Sequence, residues 1–455
     1  MKIQLGCYVT VLLSGLIAFF PSTFSDQISA RIIDNSSVHT IKIISQVYIS
    51  KKIIAHRKIF SQIKQVAQFE ENVSLQHIVW SPNGKYLAIA SDGSSIVKVI
   101  EIANNTKVLE RNYQEPSQIS SLAWSPNSRN LAVDGLGQLL DSGEEFDEIE
   151  LFDIPTGERV SKVQHSNEIA EISWSPDGQY FASIDFGNID AGGLGSKLRI
   201  FEPLTGEEIL QVSHDKFLLD AQWSPNGQYV ATASRDRKAK IVDISRRNVI
   251  FELVHAHSVR GISWSPDSQY IATSSLLGSK IMNLLSGQLV PFINEQVQEV
   301  VWSPDGQYIA TSTLPESKNI SDINIFEFST GRKIAYVDHA QTRVKSKQWS
   351  PNSRYLMTAG YDKTMRLMDI QRGREILKLI YDYVTQDFDW SPDGQYVVIA
   401  SGNSAKILSI PSRLEVASID HDGLVTNVLW SPDGRYVASA NSSPRPIVKV
   451  LQVHN

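Results

Sequence analysis

Short alternating runs of apolar and polar residues recur along this chain, each closed by the same tripeptide. One unit shows the pattern. Ile169-Ala-Glu-Ile-Ser-Trp174 alternates with the period of a strand. Ser175-Pro-Asp-Gly178 follows as a tight turn, proline presetting φ and glycine accepting the left-handed conformation. Tyr180–Ile184, Leu198–Glu202 and Glu208–Val212 then read as three further short strands, with Pro203-Leu-Thr-Gly206 as the last turn. All nine tryptophans open a Trp-Ser-Pro: Trp80, Trp124, Trp174, Trp223, Trp264, Trp302, Trp349, Trp390 and Trp430. Four antiparallel strands per unit of about 40–45 residues predict a β-propeller blade.

Nine hairpins predict nine blades, with eight and one displaced unit as the alternative. The last unit stops after its third strand, Ile447–Val453. Lys64–Phe69 lies where a fourth strand would precede Trp80: Val66 falls in register with Val160, and Phe69 with Val163. That segment is expected to pair with the C-terminal strand and shut the ring, removing the exposed sheet edges. The predicted organisation is an N-terminal segment over 1–25, a linker over 26–61 and an all-β propeller over 62–455.

Around this repeat the chain resembles the WD40 family. The resemblance covers about 63–453. Its best pieces are Ala231-Thr-Ala-Ser-Arg-Asp236 through Asp243-Ile, Ala359-Gly-Tyr-Asp362 through Asp369-Ile, and Glu150-Leu-Phe-Asp153-Ile-Pro-Thr-Gly157. His165, His214, His255, His339 and His421 stand nine or ten residues before their tryptophans, where the family places a histidine. The family's buried tetrad would draw on His214, Ser234 and Asp236, but Val242 holds the tryptophan position, so the tetrad is incomplete. Trp-Ser-Pro-Asp-Gly is also similar to the repeats of TolB-type propellers; the Thr-Gly turns and leading histidines favour WD40. The resemblance implies a scaffold that binds other proteins.

Charge changes the picture at the N-terminus. Residues 1–69 hold eight Lys/Arg and two Asp/Glu, leaving 35 and 47 in the remainder, a net of −12. So acidic a body argues against nucleic-acid binding. Met1-Lys2, an apolar run over Tyr8–Phe20 and the small residues Thr23 and Ser25 read as a secretory signal cut after Ser25. The expected location is therefore periplasmic or extracellular, with a membrane anchor over residues 3–20 as the alternative. The only cysteine, Cys7, leaves no disulfide or Cys-ligated zinc downstream.

Catalytic signatures are missing from the sequence: there is no Gly-x-Ser-x-Gly elbow, no His-Glu-x-x-His and no phosphate loop. The reading is a monomeric, non-catalytic module without cofactor or metal. It presents loops to a protein or peptide partner. A propeller-type hydrolase or lyase using inner-strand acids such as Glu171, Asp220 and Glu299 is the alternative, as is a small-ligand or Ca²⁺ sensor. Candidate partner-binding loops are the long links between second and third strands. One runs over 134–148 with Asp141, Glu144, Glu145, Asp147 and Glu148. Another runs over 185–196 with Asp185 and Asp190; a third runs over 313–322. Arg235, Arg237, Lys238, Arg260, Arg343 and Lys345 are expected on the same face. The serines at 128, 268 and 353, which replace the turn glycine, read as mildly strained and without further role.

Overall fold

The computed structural model describes residues 8–13, 16–21 and 64–453, apart from 71–74, 92–95, 114–118, 140–144, 189–191, 277, 291–296, 314–321, 340–341 and 443–444. The chain divides into two compact units, Met1–Ala55 and His56–Asn455. In the first, Tyr8–Leu13 pairs antiparallel with Leu16–Pro21. The linker expected over 26–61 lies outside the described residues.

The second unit is a ring of nine four-stranded antiparallel sheets. Blade 4 is typical: Leu218–Trp223, Tyr229–Ser234, Lys238–Asp243 and Asn248–Val254 follow one another outward from the axis. In blade 9 the outermost strand comes from the other end of the chain. Lys64–Glu70 pairs with Ile447–Gln452, in register from Lys64↔Gln452 to Glu70↔Ile447 with one bulge at Val66. Tyr436 of blade 9 stacks on Trp80 of blade 1, with centroids 6.0 Å apart, and so the circle closes.

The core consists of nine interfaces between neighbouring sheets. Second strands run through the middle and are buried on both faces; Ile271, for example, packs with blade 4 and Ala272 with blade 6. Alanine recurs there (Ala88, Ala132, Ala182, Ala231, Ala272 and Ala310 are all within 2% of full burial), which keeps the sheets close. Each tryptophan reaches back over the preceding blade. Four indoles donate to a carbonyl of that blade: Trp124 to Val79 (3.2 Å), Trp174 to Ala123 (3.0 Å), Trp264 to Gln222 (3.0 Å) and Trp349 to Val301 (3.3 Å). Tyrosines at the start of the preceding second strand stack on the rings, as Tyr229 does on Trp264 (6.3 Å, 18° between planes).

The Ser-Pro-Asp-Gly turns are self-capped. Ser175 Oγ donates to Asp177 Oδ1 (2.6 Å) and accepts from the Tyr180 amide (3.0 Å). The three serines in the glycine position do have a role. They hold φ between 57° and 60°, and each hydroxyl accepts the amide of Asn83, Asn226 or Asp305 in the preceding blade's turn, at 2.9, 3.1 and 2.9 Å. The left-handed strain is offset by a bond between blades that glycine cannot make.

The leading histidines are structural as well, with one change of partner. His214 Nε2 lies 2.8 Å from Thr232 Oγ1 and Nδ1 lies 2.8 Å from Asp236. Thr232 therefore takes the tetrad place expected of Ser234, whose hydroxyl instead donates to the Lys216 carbonyl (3.1 Å). Strand alternation explains the difference, since residues two apart share a face but sit at different depths. His255 meets Thr273 (2.9 Å) in the same way, and burial pushes its imidazole down to about 4. The unfolded chain protonates this group near its ordinary value of 6.5. The neutral imidazole thus contributes stability that is complete above that value and lost as pH falls through the window to about 4. Asp220 and Asp389, pushed up to about 6 by burial, act in the opposite sense, but they cancel in a comparison with a variant. At neutral pH, His255→Gln is expected to cost about 1 kcal/mol for the lost bond. Between pH 7.5 and pH 4.5 the difference should move by on the order of 2 kcal/mol in the variant's favour, so that the variant becomes the more stable of the two at the lower pH, measured by urea titration. A deficit independent of pH would show that the ring is not buried neutral.

Candidate functional site at the channel mouth

First strands line the central channel, and nearly all carry the same irregularity. In seven blades the residue four places before the tryptophan is an extra residue, a bulge unpaired with the second strand: Gln76, Ala170, Leu219, Arg260, Gln298, Lys345 and Thr426. Bulges re-aim side chains. These sit at the end of the channel that also bears the links between second and third strands. Two of the seven are cations, and both line one cavity of about 480 Å³ between blades 5, 6 and 7.

Arg260, Arg343, Lys345 and Lys347 face into this cavity with one acid, Glu299. Arg343 leads into the first strand of blade 7, where its carbonyl accepts the Tyr361 amide (3.0 Å). Beneath that contact His339 bonds Thr358 (2.8 Å) and Asp362 (3.0 Å). A Cβ on Gly360 would lie 2.2 Å from the His339 ring nitrogen, so glycine is required for this packing. Lys345 places its ammonium on three neutral acceptors of blade 8: the Thr385 carbonyl (3.0 Å), the Gln386 carbonyl (2.9 Å) and Gln386 Oε1 (2.9 Å). Lys347, with 5% of its side chain exposed, bonds Glu299 and the Ser312 hydroxyl of blade 6. Burial draws both lysines below the ordinary ammonium range. Arg260 and Arg343 are exposed and in no ion pair among the described residues. Gly261 leaves a gap in the wall, for a Cβ there would meet nothing within 4 Å.

Of the residues singled out in the sequence, the structure brings Arg260, Arg343 and Lys345 together. Arg235, Arg237 and Lys238 form the turn of blade 4, outside the cavity lining; Arg235 lies over the Phe217 ring (5.1 Å) and Lys238 pairs with Glu252 (3.2 Å). The acidic patch is corrected. Asn130–Leu139 and Glu145–Asp153 are long paired strands, so most of the expected link over 134–148 is sheet. Asp147 and Glu148 are only 4% and 6% exposed. Asp147 accepts the Ile169 amide of blade 3 (2.7 Å) and Glu148 pairs with Lys162 (3.1 Å), so neither is available to a partner. Asp185 is 1% exposed and accepts the Gly187 and Lys197 amides, which shapes the loop it begins. Glu145 opens a strand; Asp141, Glu144, Asp190 and the link over 314–321 lie outside the described residues. The inner-strand acid Asp220 is likewise used by the ring, accepting the Ile262 amide of blade 5 (2.9 Å). Lys347 escaped the sequence reading. The signal was its place two residues before a tryptophan, on a strand facing the channel.

Three comparisons bear on this arrangement. The family profile described as eukaryotic translation initiation factor eIF2A matches residues 99–241, 281–370 and 318–407. That of the anaphase-promoting complex subunit 4 WD40 domain matches 38–127, and that of the WD domain, G-beta repeat, matches 248–279 and 414–443. Two of the initiation-factor matches overlap, as a tandem repeat permits when one profile fits neighbouring blades in two registers. Protein HIR1 of Eremothecium gossypii is 25% identical over 100 residues, 19% of this chain and 12% of that protein. A crystal structure of a eukaryotic initiation factor superposes with a TM-score of 0.60 at 16% identity, covering 78% of this chain and 89% of that one; this is a likeness of fold.

These relatives overturn the expectation of export. Initiation factors and HIR1 are intracellular proteins, which points away from a periplasmic or extracellular placement. The misleading signal was apolar composition, which a hairpin such as Tyr8–Leu13 with Leu16–Pro21 satisfies as readily as a signal segment does. No helix among the described residues is long and apolar enough to cross a membrane.

Proposed function

The chain belongs to the WD40-repeat propellers, folds that generally serve as protein-interaction scaffolds, and we propose that it holds a protein partner on the loop-bearing face, at the channel mouth between blades 5 and 7. The observation that carries this reading is the cavity: four cations converge on one opening in an otherwise acidic body, two of them free of any ion pair among the described residues. Such a local field attracts an acidic segment and fixes its register. Tyr361, 54% exposed at the rim, offers an aromatic anchor beside the charges. The blades beneath are stiff, so recognition needs little reorganisation.

The test uses full-length protein as bait in cross-linking capture from cell extract. Arg260→Glu/Arg343→Glu should lose the proteins that the wild type recovers, while its melting temperature stays unchanged because both side chains are exposed. The control Gln228→Glu/Gln307→Glu, in the turns of the opposite face, should keep them. Undiminished capture by the arginine variant would place the docking surface elsewhere.

A further inference from the structure

The channel-mouth cavity holds more positive charge than a carboxylate would neutralise. We infer that it is a phosphoryl-binding site, taking the dianionic head of a phosphate monoester. This deepens the docking reading above, on which it rests, by naming the group that the cavity grips.

Four cations line the opening with Glu299, and the Asp387 carboxylate lies close enough to attract Lys345, a net formal charge of +2 in a chain whose total is −6. A monoanion would leave one positive charge uncompensated in a half-enclosed space; a dianion leaves none. The four have different roles. The three ammonium protons of Lys345 already lie on neutral oxygens of blade 8, so this residue contributes fixed charge. Arg260 and Arg343 bring guanidinium forks that are in no ion pair among the described residues, and their planar pairs of N–H donors match phosphoryl oxygens. Lys347 is buried while its acid, Glu299, is 54% exposed. Glu299 can therefore turn to solvent and pass the ammonium to an incoming anion. The donors arise from a bulge in blade 5, from the lead-in to blade 7 and from that blade's inner strand, so they surround an occupant rather than line one side of it. Gly261 keeps the space open at their level.

A phosphate monoester has two sources: a free small molecule or a modified side chain of the partner. Both are tested by isothermal titration of the full-length protein at fixed ionic strength. The probes are O-phosphoserine, a short glycine-flanked phosphoserine peptide and the same peptide with glutamate in place of phosphoserine. The phosphoryl probes should bind, with the glutamate peptide weaker by roughly tenfold or more. Arg343→Ser should weaken binding by about tenfold, and Gly261→Glu, which places a carboxylate in the cavity, should abolish it. Gln228→Glu, in a turn of the opposite face, should bind like wild type, and all three variants should keep the wild-type melting temperature. Equal affinity for phosphoserine and its peptide assigns the site to a free ester; binding of the peptide alone assigns it to a modified partner. The inference is overturned if no phosphoryl probe binds, if the glutamate peptide binds as well, or if Gly261→Glu binds unchanged. Loss of partner capture without phosphoryl binding leaves the docking reading standing and removes this one; phosphoryl binding with unchanged capture does the reverse.

Discussion

A chain beginning at residue 71 is expected to associate and to melt well below one beginning at residue 64. The seven residues between are one strand, Lys64–Glu70, and they close the ring. Without them Ile447–Gln452 becomes an edge, exposing a ladder of unpaired amides and carbonyls beside Val448 and Val450, both fully buried in the closed ring. The lost ladder bonds cost roughly 3–5 kcal/mol at about 1 kcal/mol each, and burial of Ala67 and much of Val66 and Phe69 is lost with them. The bare edge is then a template for pairing between molecules. Light scattering coupled to size exclusion, with thermal melts of both chains, tests this. The shorter chain should show concentration-dependent oligomers; the longer should not. Equal melting and a monomeric shorter chain would mean that the contact of Tyr436 with Trp80 closes the ring unaided.

That strand is legible in the sequence, because Val66 and Phe69 repeat the spacing of Val160 and Val163 within the fourth strand of blade 2. The blades were legible for the same reason. A repeat multiplies a weak local pattern nine times, and each Trp-Ser-Pro marks the same corner. What stayed hidden has a common cause. Sequence periodicity reports which face a residue occupies but not what its neighbour across the interface needs. Ser128, Ser268 and Ser353 looked like poor glycines; their value lies in the amide of the next turn. Asp147 looked solvated, yet the Ile169 amide across the blade boundary requires an acceptor. The functional face was legible only by halves. Arg260, Arg343 and Lys345 were named from loop position, but the bulge that turns Arg260 and Lys345 into the channel is a register shift, invisible to period-two alternation. The acidic residues of 134–148 misled because charge was read as exposure, whereas Asn130–Leu139 and Glu145–Asp153 continue their pairing well beyond the usual blade height.

Trp264→Ala is expected to cost about 3–5 kcal/mol, the largest effect of any single substitution considered. The indole is 7% exposed, stacks on Tyr229 of blade 4 and packs among Ile241, Ile262 and Ile271. Removal leaves a cavity between two rigid sheets, and the alanines of the second strands cannot move in to fill it. Trp264→Phe separates the two contributions. It keeps most of the apolar contact and forfeits the bond from Nε1 to the Gln222 carbonyl, so it should cost about 1 kcal/mol beyond the volume change. Trp223 supplies the internal comparison, since its Nε1 has no acceptor among the described residues. Trp223→Phe should therefore be milder than Trp264→Phe by about that amount. Urea denaturation of the variants, followed by tyrosine and tryptophan fluorescence, gives the ordering. If the two phenylalanine variants lose equal stability, the hydrogen bond to the preceding blade contributes nothing and shape alone joins the blades. If Trp264→Ala loses less than about 1 kcal/mol, the tryptophans are not what joins the ring, and their ninefold recurrence needs another cause.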